Sequence, residues 1–328
     1  MSTRKKIAVA IGDPAGIGCE IAMKALARPA IQNGCDAVLV GDAWLIQASN
    51  ERFGVDMPLR VVDSPDELRF DGSALEVLNV PALAQATFQY GVTAAANGHA
   101  LLAYAKAAIE LALAGRVDCV IAAPQNETSV HQAGVQFSGY PGFVAKTTGT
   151  PEDNVFLLLT STSFRIAHVT LHVSMREAIG LITHERVLRA IRATHSAIQA
   201  MGITQPRIGV SGLNPHAGEH GLFGREEIDV IAPASESARA AGVDATGPVG
   251  ADVLLARGGY DAYVVMIHDQ GHIPGKLEHG SAGFCIGAPI LFGSVAHGSA
   301  HDIAGVGCAD STHIVNAICW ATAISQNI

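Results

Sequence analysis

Nowhere in the chain do two cysteines stand in a C-x-x-C pair. The six, Cys19, Cys35, Cys119, Cys285, Cys308 and Cys319, are scattered, which excludes a zinc knuckle or a redox dithiol and reads them as reduced, mostly buried apolar residues. Long apolar runs are missing too. Each candidate is broken by glycine, histidine or aspartate short of the ~20 residues that a bilayer-spanning helix needs, so no membrane partner is expected. Positive charge is scarce: the formal net charge is -9. The one basic run, Arg4-Lys5-Lys6, is too short to follow a phosphate backbone, so nucleic acid is not an expected partner. Residues 1–6 lead into Ile7-Ala8-Val9-Ala10-Ile11 without a long apolar h-region or a small-residue cleavage site, so a cytoplasmic location is expected rather than export. No G-x-S-x-G elbow occurs, which sets a serine hydrolase aside. No internal repeat and no low-complexity linker marks a domain boundary.

What remains is rich in glycine and aliphatic residues. The chain has 35 glycines, 49% hydrophobic and only 16% charged residues, the makeup of a well-packed α/β protein with many tight strand-to-helix turns. Its 328 residues exceed the size at which one core usually stops growing, so two domains are expected. Apolar runs at residues 7–11, 37–40 and 119–122 predict strands, with an Ala/Leu-rich helix over 94–114 between the last two. Further strands are predicted at 155–159, 165–173, 207–210 and 262–267, and helices over 184–201 and 311–325. That alternation predicts an α/β fold with a largely parallel sheet.

Histidine is the first chemical signal. In 165–173 the strand alternation puts His168, Thr170 and His172 on one face and Val169, Leu171 and Val173 on the other. His172 ends that run, His216 follows the apolar run 208–210 within Gly212-Leu213-Asn214-Pro215-His216, and His268 follows Val264-Val265-Met266-Ile267. Three imidazoles just past strand ends would converge at one sheet edge, where they suit a divalent ion. Each taken singly also reads as a hydrogen-bonded structural histidine or a general base.

Two glycine-bearing turns follow. Gly12-Asp13-Pro14-Ala15-Gly16-Ile17-Gly18 resembles a phosphate-cradling turn, but its spacing is not G-x-G-x-x-G, and a tight strand-to-helix connection accounts for it as well. His297-Gly298-Ser299-Ala300-His301-Asp302-Ile303-Ala304-Gly305 lets backbone approach a ligand and adds a hydroxyl and a carboxylate. This string resembles the adenine-side cofactor loop of the β-decarboxylating dehydrogenases, the isopropylmalate and isocitrate type. Residues 12–18, 212–218, 268–271 and 297–305 together are similar to the 4-hydroxythreonine-4-phosphate dehydrogenase family over nearly the whole chain.

The resemblance implies a two-domain α/β subunit with the isocitrate/isopropylmalate dehydrogenase-like fold and an interdomain active-site cleft. The first domain would hold residues 1–130 plus about 285–328, and the second about 131–284. It implies a homodimer whose metal site is shared between subunits, with a divalent ion on His172, His216 and His268. Zinc is the first expectation, with iron, manganese, cobalt or magnesium as alternatives. NAD would lie against His297, Gly298, Ser299, Ala300, Asp302, Ile303 and Gly305. Lys276 and Asp252 match polar positions of the family, Lys276 as proton donor or carboxylate anchor and Asp252 as base or metal-site partner. Asp269 would orient the neighbouring ligand.

The substrate pocket departs from the family's phosphate-reading pattern. Its Gly-His-Thr is replaced by Gly139-Tyr140-Pro141, and Gly283 and Phe292 stand where an Asn and an Arg are expected. Without the guanidinium fork a phosphorylated substrate is not expected. Glu127-Thr128, His131-Gln132-Ala133-Gly134, Phe137-Ser138-Gly139-Tyr140-Pro141, residues 165–172 and His268-Asp269-Gln270-Gly271-His272-Ile273-Pro274 instead resemble the branch that oxidises carboxylated cis-dihydrodiols such as that of terephthalate. Glu127, Thr128, Tyr140, Gly283 and Phe292 are the candidate substrate contacts. The implied reaction is NAD-linked oxidation of a β-hydroxy acid followed by loss of CO₂, and for a terephthalate dihydrodiol the product is protocatechuate. A hydroxythreonine phosphate or a sugar-acid phosphate is the alternative substrate.

Overall fold

The computed structural model describes residues 4–137, 139–278 and 281–322. Ser138 and residues 323–325 of the predicted C-terminal helix lie outside the described residues. In chain order the described strands are β1 (Lys5–Ala10), β2 (Cys35–Gly41), β3 (Leu59–Val62), β4 (Leu75–Asn79), β5 (Cys119–Ala122), β6 (Phe156–Thr160), β7 (Arg165–His168), β8 (Arg207–Ser211), β9 (Asp244–Val249), β10 (Ala262–Val265), β11 (Ala282–Ile286) and β12 (Leu291–Val295). The helices are α1 (Gly18–Leu26), α2 (Pro29–Gly34), α3 (Ala43–Arg52), α4 (Ala95–Leu113), α5 (Glu127–Gln132), α6 (Tyr140–Thr148), α7 (Met175–Leu181), α8 (His184–Ala200), α9 (Ala232–Ala240), α10 (Ala251–Arg257), α11 (His268–Leu277) and α12 (Thr312–Thr322). Among them no helix is long and apolar enough to cross a membrane.

The chain divides into two compact units, Met1–Gly149 with Pro289–Ile328, and Thr150–Ala288. The first unit carries strands in the order β3-β4-β2-β1-β5-β12, every pair parallel. Its central strands are continuous apolar runs, and residues 7–10, 38–40 and 119–122 are buried, as strands covered on both faces by helices must be. The first crossover was expected near residue 130 and lies at Gly149 instead. The reason is packing: α5 and α6 both lie against α4 and stay with the first unit.

The second unit carries the order β11-β6-β7-β10-β8-β9. The β11–β6 and β6–β7 pairs are antiparallel, and β7–β10, β10–β8 and β8–β9 are parallel. The strand expected over 165–173 ends at His168. Val169 and Thr170 still donate to the carbonyls of Val265 and Met266 at 2.9 and 3.1 Å, but the Val173 amide turns back onto the Leu171 carbonyl. Two-sided burial, not alternation, governs this stretch, since Ile166, Ala167, His168, Val169 and Thr170 are all buried. The helix α8 begins where Thr183 caps it, its hydroxyl accepting from the Arg186 amide at 3.3 Å.

All six cysteines are free, and only Cys308 is exposed. Burial pushes the thiols of Cys19, Cys35 and Cys119 up to about 12, so none of these three offers a thiolate at neutral pH.

Candidate active site

The first unit builds a seat for the 297–310 loop. In the turn after β1, the Asp13 amide donates to the Pro124 carbonyl at 2.8 Å, Gly16 to Asp13 at 3.1 Å and Ile17 to Ser299 at 3.0 Å. The Ala15 amide donates to the Asp13 carboxylate at 3.1 Å. These four donors are spent inside the protein, so of the two readings of this turn the tight connection holds. A Cβ on Gly16 would lie 2.5 Å from the Ser299 carbonyl oxygen, and one on Gly18 2.1 Å from that of Ile11. The glycines let the turn pass directly beneath the loop.

Other side chains hold the loop in place. Lys24 donates to the carbonyls of Gly307 and Ala309 at 2.8 and 3.0 Å, and buried Glu20 accepts from Lys24 and from the Ala309 amide, each at 2.7 Å. Arg52 donates to the Gly305 carbonyl at 2.7 Å and lies over the Tyr90 ring. His301 places Nε2 2.6 Å from the carboxylate of fully buried Asp13. Its neighbour Ala300 adopts a left-handed backbone, φ 43°. Of the expected cofactor residues, Gly298 and Asp302 are exposed, while Ser299 and Gly305 are buried. His297 meets the Gly298 carbonyl at 2.9 Å, and burial lowers its pKa.

The second unit gathers histidines. The His172 and His268 rings are 5.7 Å apart, and Nδ1 of His268 lies 2.7 Å from the Asp269 carboxylate. Behind them His272 stacks on His268 at 3.8 Å and 8°, and its Nδ1 lies 3.1 Å from Nε2 of His168. Burial, with the charges of neighbouring histidines, pushes His168 down to about 3. Burial first, then His268 and Lys276, pushes His272 down to about 4. Both rings are therefore neutral at physiological pH.

His216 stands apart from this group, on a loop of its own. Its ring is 6.0 Å from Phe223 and Nδ1 is 3.6 Å from Glu219. Residues 216–220 are all left-handed, with φ between 43° and 78°, a strained geometry that needs support. Buried Glu227 supplies it, accepting from the amides of Leu213 and Asn214 at 2.8 and 2.7 Å. Among the described residues of one chain, no three His, Cys, Asp or Glu side chains are grouped to hold a metal ion.

Gln270 links the two histidine segments. Its oxygen accepts from the amides of Met266 and Ile267 at 2.9 and 3.3 Å, and its amide donates to the Gly212 carbonyl at 3.0 Å. Gln270→Ala is expected to lower stability by about 2 kcal/mol, since buried backbone groups lose their partners. A urea midpoint equal to that of the parent chain would contradict this.

Lys276 is exposed on α11, one turn beyond His272. Asp252 is exposed in the first turn of α10. A Cβ on Gly250 would lie 3.0 Å from Oδ1 of Asp252 and 3.7 Å from Cα of His216, so Asp252 neighbours the His216 loop. Glu127 and Thr128 are exposed at the start of α5. The other candidate substrate contacts are buried. Phe292 is fully buried in β12, with its ring 5.0 Å from that of Tyr140, and Gly283 is buried in β11 opposite Leu159. Tyr140 is itself 4% exposed, its hydroxyl donating to the Ala123 carbonyl at 3.2 Å. These side chains shape the core beneath the surface.

The family model described as pyridoxal phosphate biosynthetic protein PdxA matches residues 33–321. The chain belongs to the PdxA family. Among curated relatives, it is 40% identical to a 1,2-dihydroxy-3,5-cyclohexadiene-1,4-dicarboxylate dehydrogenase of a Comamonas species, over 96% of each chain. It is 37% identical to a D-threonate 4-phosphate dehydrogenase of Cupriavidus necator, over 95% of each. Among solved structures, a 4-hydroxythreonine-4-phosphate dehydrogenase from Burkholderia phymatum matches over both full lengths with TM-score 0.87 and 34% identity. A terephthalate 1,2-cis-dihydrodiol dehydrogenase from Burkholderia xenovorans LB400 matches over 98% of each chain with TM-score 0.78 and 44% identity. The expected family and fold therefore hold, and the chain is an oxidoreductase of the dehydrogenase kind.

In this PdxA chain, Asp13, His168, Glu227 and Gln270 escaped the sequence reading as supports of the site. A charged residue inside a glycine turn, and a histidine on a run otherwise buried, were the signals available.

Proposed function

We propose that this PdxA-family chain oxidises a carboxylated cis-dihydrodiol and releases CO₂, converting a terephthalate dihydrodiol to protocatechuate. The observation that carries this is the near full-length likeness to two dehydrogenases named for such diols, at 44% and 40% identity. The absence of any Lys or Arg from residues 127–141 supports it, because a phosphate would find no cation there. It would act as a homodimer on a small carboxylated substrate.

Two groups complete the reading. The loop over 297–310, seated on Asp13, Glu20, Lys24 and Arg52, suits NAD: glycines admit close approach, and exposed Asp302 could face a ribose. Imidazoles, one of them backed by a carboxylate, suit a borderline divalent ion such as zinc. His172 and His268 would hold it with His216, a second copy of the chain completing the set. When bound, NAD supplies the hydride acceptor and the ion supplies positive charge beside the alcohol and enolate oxygens. Asp269 orients His268 throughout. Lys276 serves as proton donor or carboxylate anchor, and Asp252 as the base or as a partner of the metal site.

The second reading is a phosphorylated hydroxy acid, favoured by the 37%-identical D-threonate 4-phosphate dehydrogenase. Metal-loaded protein is expected to form NADH and CO₂ together with terephthalate cis-dihydrodiol, and to turn over D-threonate 4-phosphate or 4-phosphohydroxythreonine far more slowly. Faster turnover of either phosphate would replace the first reading by the second.

A further inference from the structure

We propose that His168 and His272 form a buried platform that fixes the ring plane of His268, whose tautomer Asp269 sets, acting as positioning residues for the metal-binding side chain. The proposal rests on the metal reading above for its consequence, but its geometry stands without it.

The hydrogen bonds determine where each proton sits. Nδ1 of His168 faces the Leu157 carbonyl at 3.2 Å, and a carbonyl only accepts, so Nδ1 carries the proton and Nε2 is bare. That bare nitrogen accepts from Nδ1 of His272 at 3.1 Å, and the same N–H also faces the His268 carbonyl at 3.3 Å. Nδ1 of His268 faces the Asp269 carboxylate at 2.7 Å and is protonated as well. All three rings thus hold a proton on Nδ1, and Nε2 of His168 is left as the acceptor in the chain. The chain ends on a carbonyl, which takes no proton, so it orients the rings and conducts nothing.

The stacking then defines what His272 does. Its ring is 3.8 Å from His268 and within 8° of parallel. A metal ion lies in the plane of each imidazole that binds it, and two parallel planes share no such point. In this arrangement His272 supports His268 rather than binding the same ion. Gly271 belongs to the same device, since a Cβ there would lie 2.3 Å from Nε2 of His168 and 2.8 Å from Cγ2 of Ile166. Only glycine leaves room for His168 beneath the helix.

The experiment has two readouts. In ¹⁵N-labelled, metal-free protein, ring-nitrogen shifts at neutral pH are expected to report Nδ1-protonated His168, His268 and His272. Co²⁺ titration, followed by calorimetry and by the visible spectrum, is expected to show affinity reduced about 10–100-fold in His272→Ala. His272→Phe keeps a ring over His268 and is expected to lose less. Nε2-protonated tautomers at 168 or 272 would overturn the platform. So would a folded His272→Ala variant with parental Co²⁺ affinity and spectrum while His268→Ala loses the ion. If the parent chain binds no Co²⁺, the metal reading fails, and the nitrogen shifts alone decide the platform.

Discussion

His268→Ala is expected to lower kcat/KM by about 10³-fold, the scale of loss when a group that stabilises developing charge is removed. The variant should also lose its divalent ion on dialysis. Three features single out this ring: its 5.7 Å spacing from His172, the Asp269 carboxylate on its Nδ1 and the stacked His272. Circular dichroism should be little changed, because His268 opens α11 at its surface end, and Gln270 rather than the imidazole caps that turn. A folded variant with parental turnover and metal content would refute the assignment of His268.

Asp13→Ala should have the largest effect on stability, about 3 kcal/mol. Asp13 is fully buried and accepts from His301 and from the Ala15 amide. Truncating one member of a buried charged pair leaves the other without its partner, which typically costs about 3–5 kcal/mol. The lower end applies here because the His301 side chain keeps 17% exposure to water. The melting transition that reports on the first unit should fall by about 6–12 °C. Asp13→Asn keeps an acceptor for Ala15 and should cost about half as much. Both variants should weaken NAD binding measured by calorimetry, because His301 anchors the loop at the strained Ala300. An Asp13→Ala protein with parental melting would show the pair to be energetically idle.

Much of the fold was legible where burial is two-sided. The runs over 7–11, 37–40 and 119–122 contain almost no polar residue, and they became β1, β2 and β5. Strands broken by glycine or by polar residues were not legible. In β11, Ala-Gly-Phe-Cys-Ile, and β12, Leu-Phe-Gly-Ser-Val, the apolar content is too short to separate from a loop by pattern alone. Residues 165–173 misled in the opposite way: polar and apolar residues alternate there, yet over 166–170 both sets are buried, because His168 and Thr170 find hydrogen-bond partners inside.

The site divides along the same line. His172, His216 and His268 could be picked out because each follows an apolar run. The supports of the site could not, because they meet partners far away in sequence: His168 meets His272 across 104 positions, and Asp13 meets His301 across 288. Phe292 and Gly283 were singled out as residue types that differ from an expected pattern. A string of letters does not say which side of a strand faces a ligand, and β12 turns Phe292 into the core.

The second unit, Thr150–Ala288, is one uninterrupted stretch of chain. It contains His172, His216, Asp252, His268 and Lys276, whereas the 297–310 loop and the side chains that seat it, from Asp13 to Arg52, all belong to the other unit. Genetic recombination therefore meets this protein as a cassette: exchange between relatives at just two junctions, near residues 149 and 289, would transplant all of these candidate side chains while leaving the loop on its original foundation. Glu127, Thr128 and Tyr140 would stay behind with the loop, so such an exchange would part the histidines from three of the candidate substrate contacts.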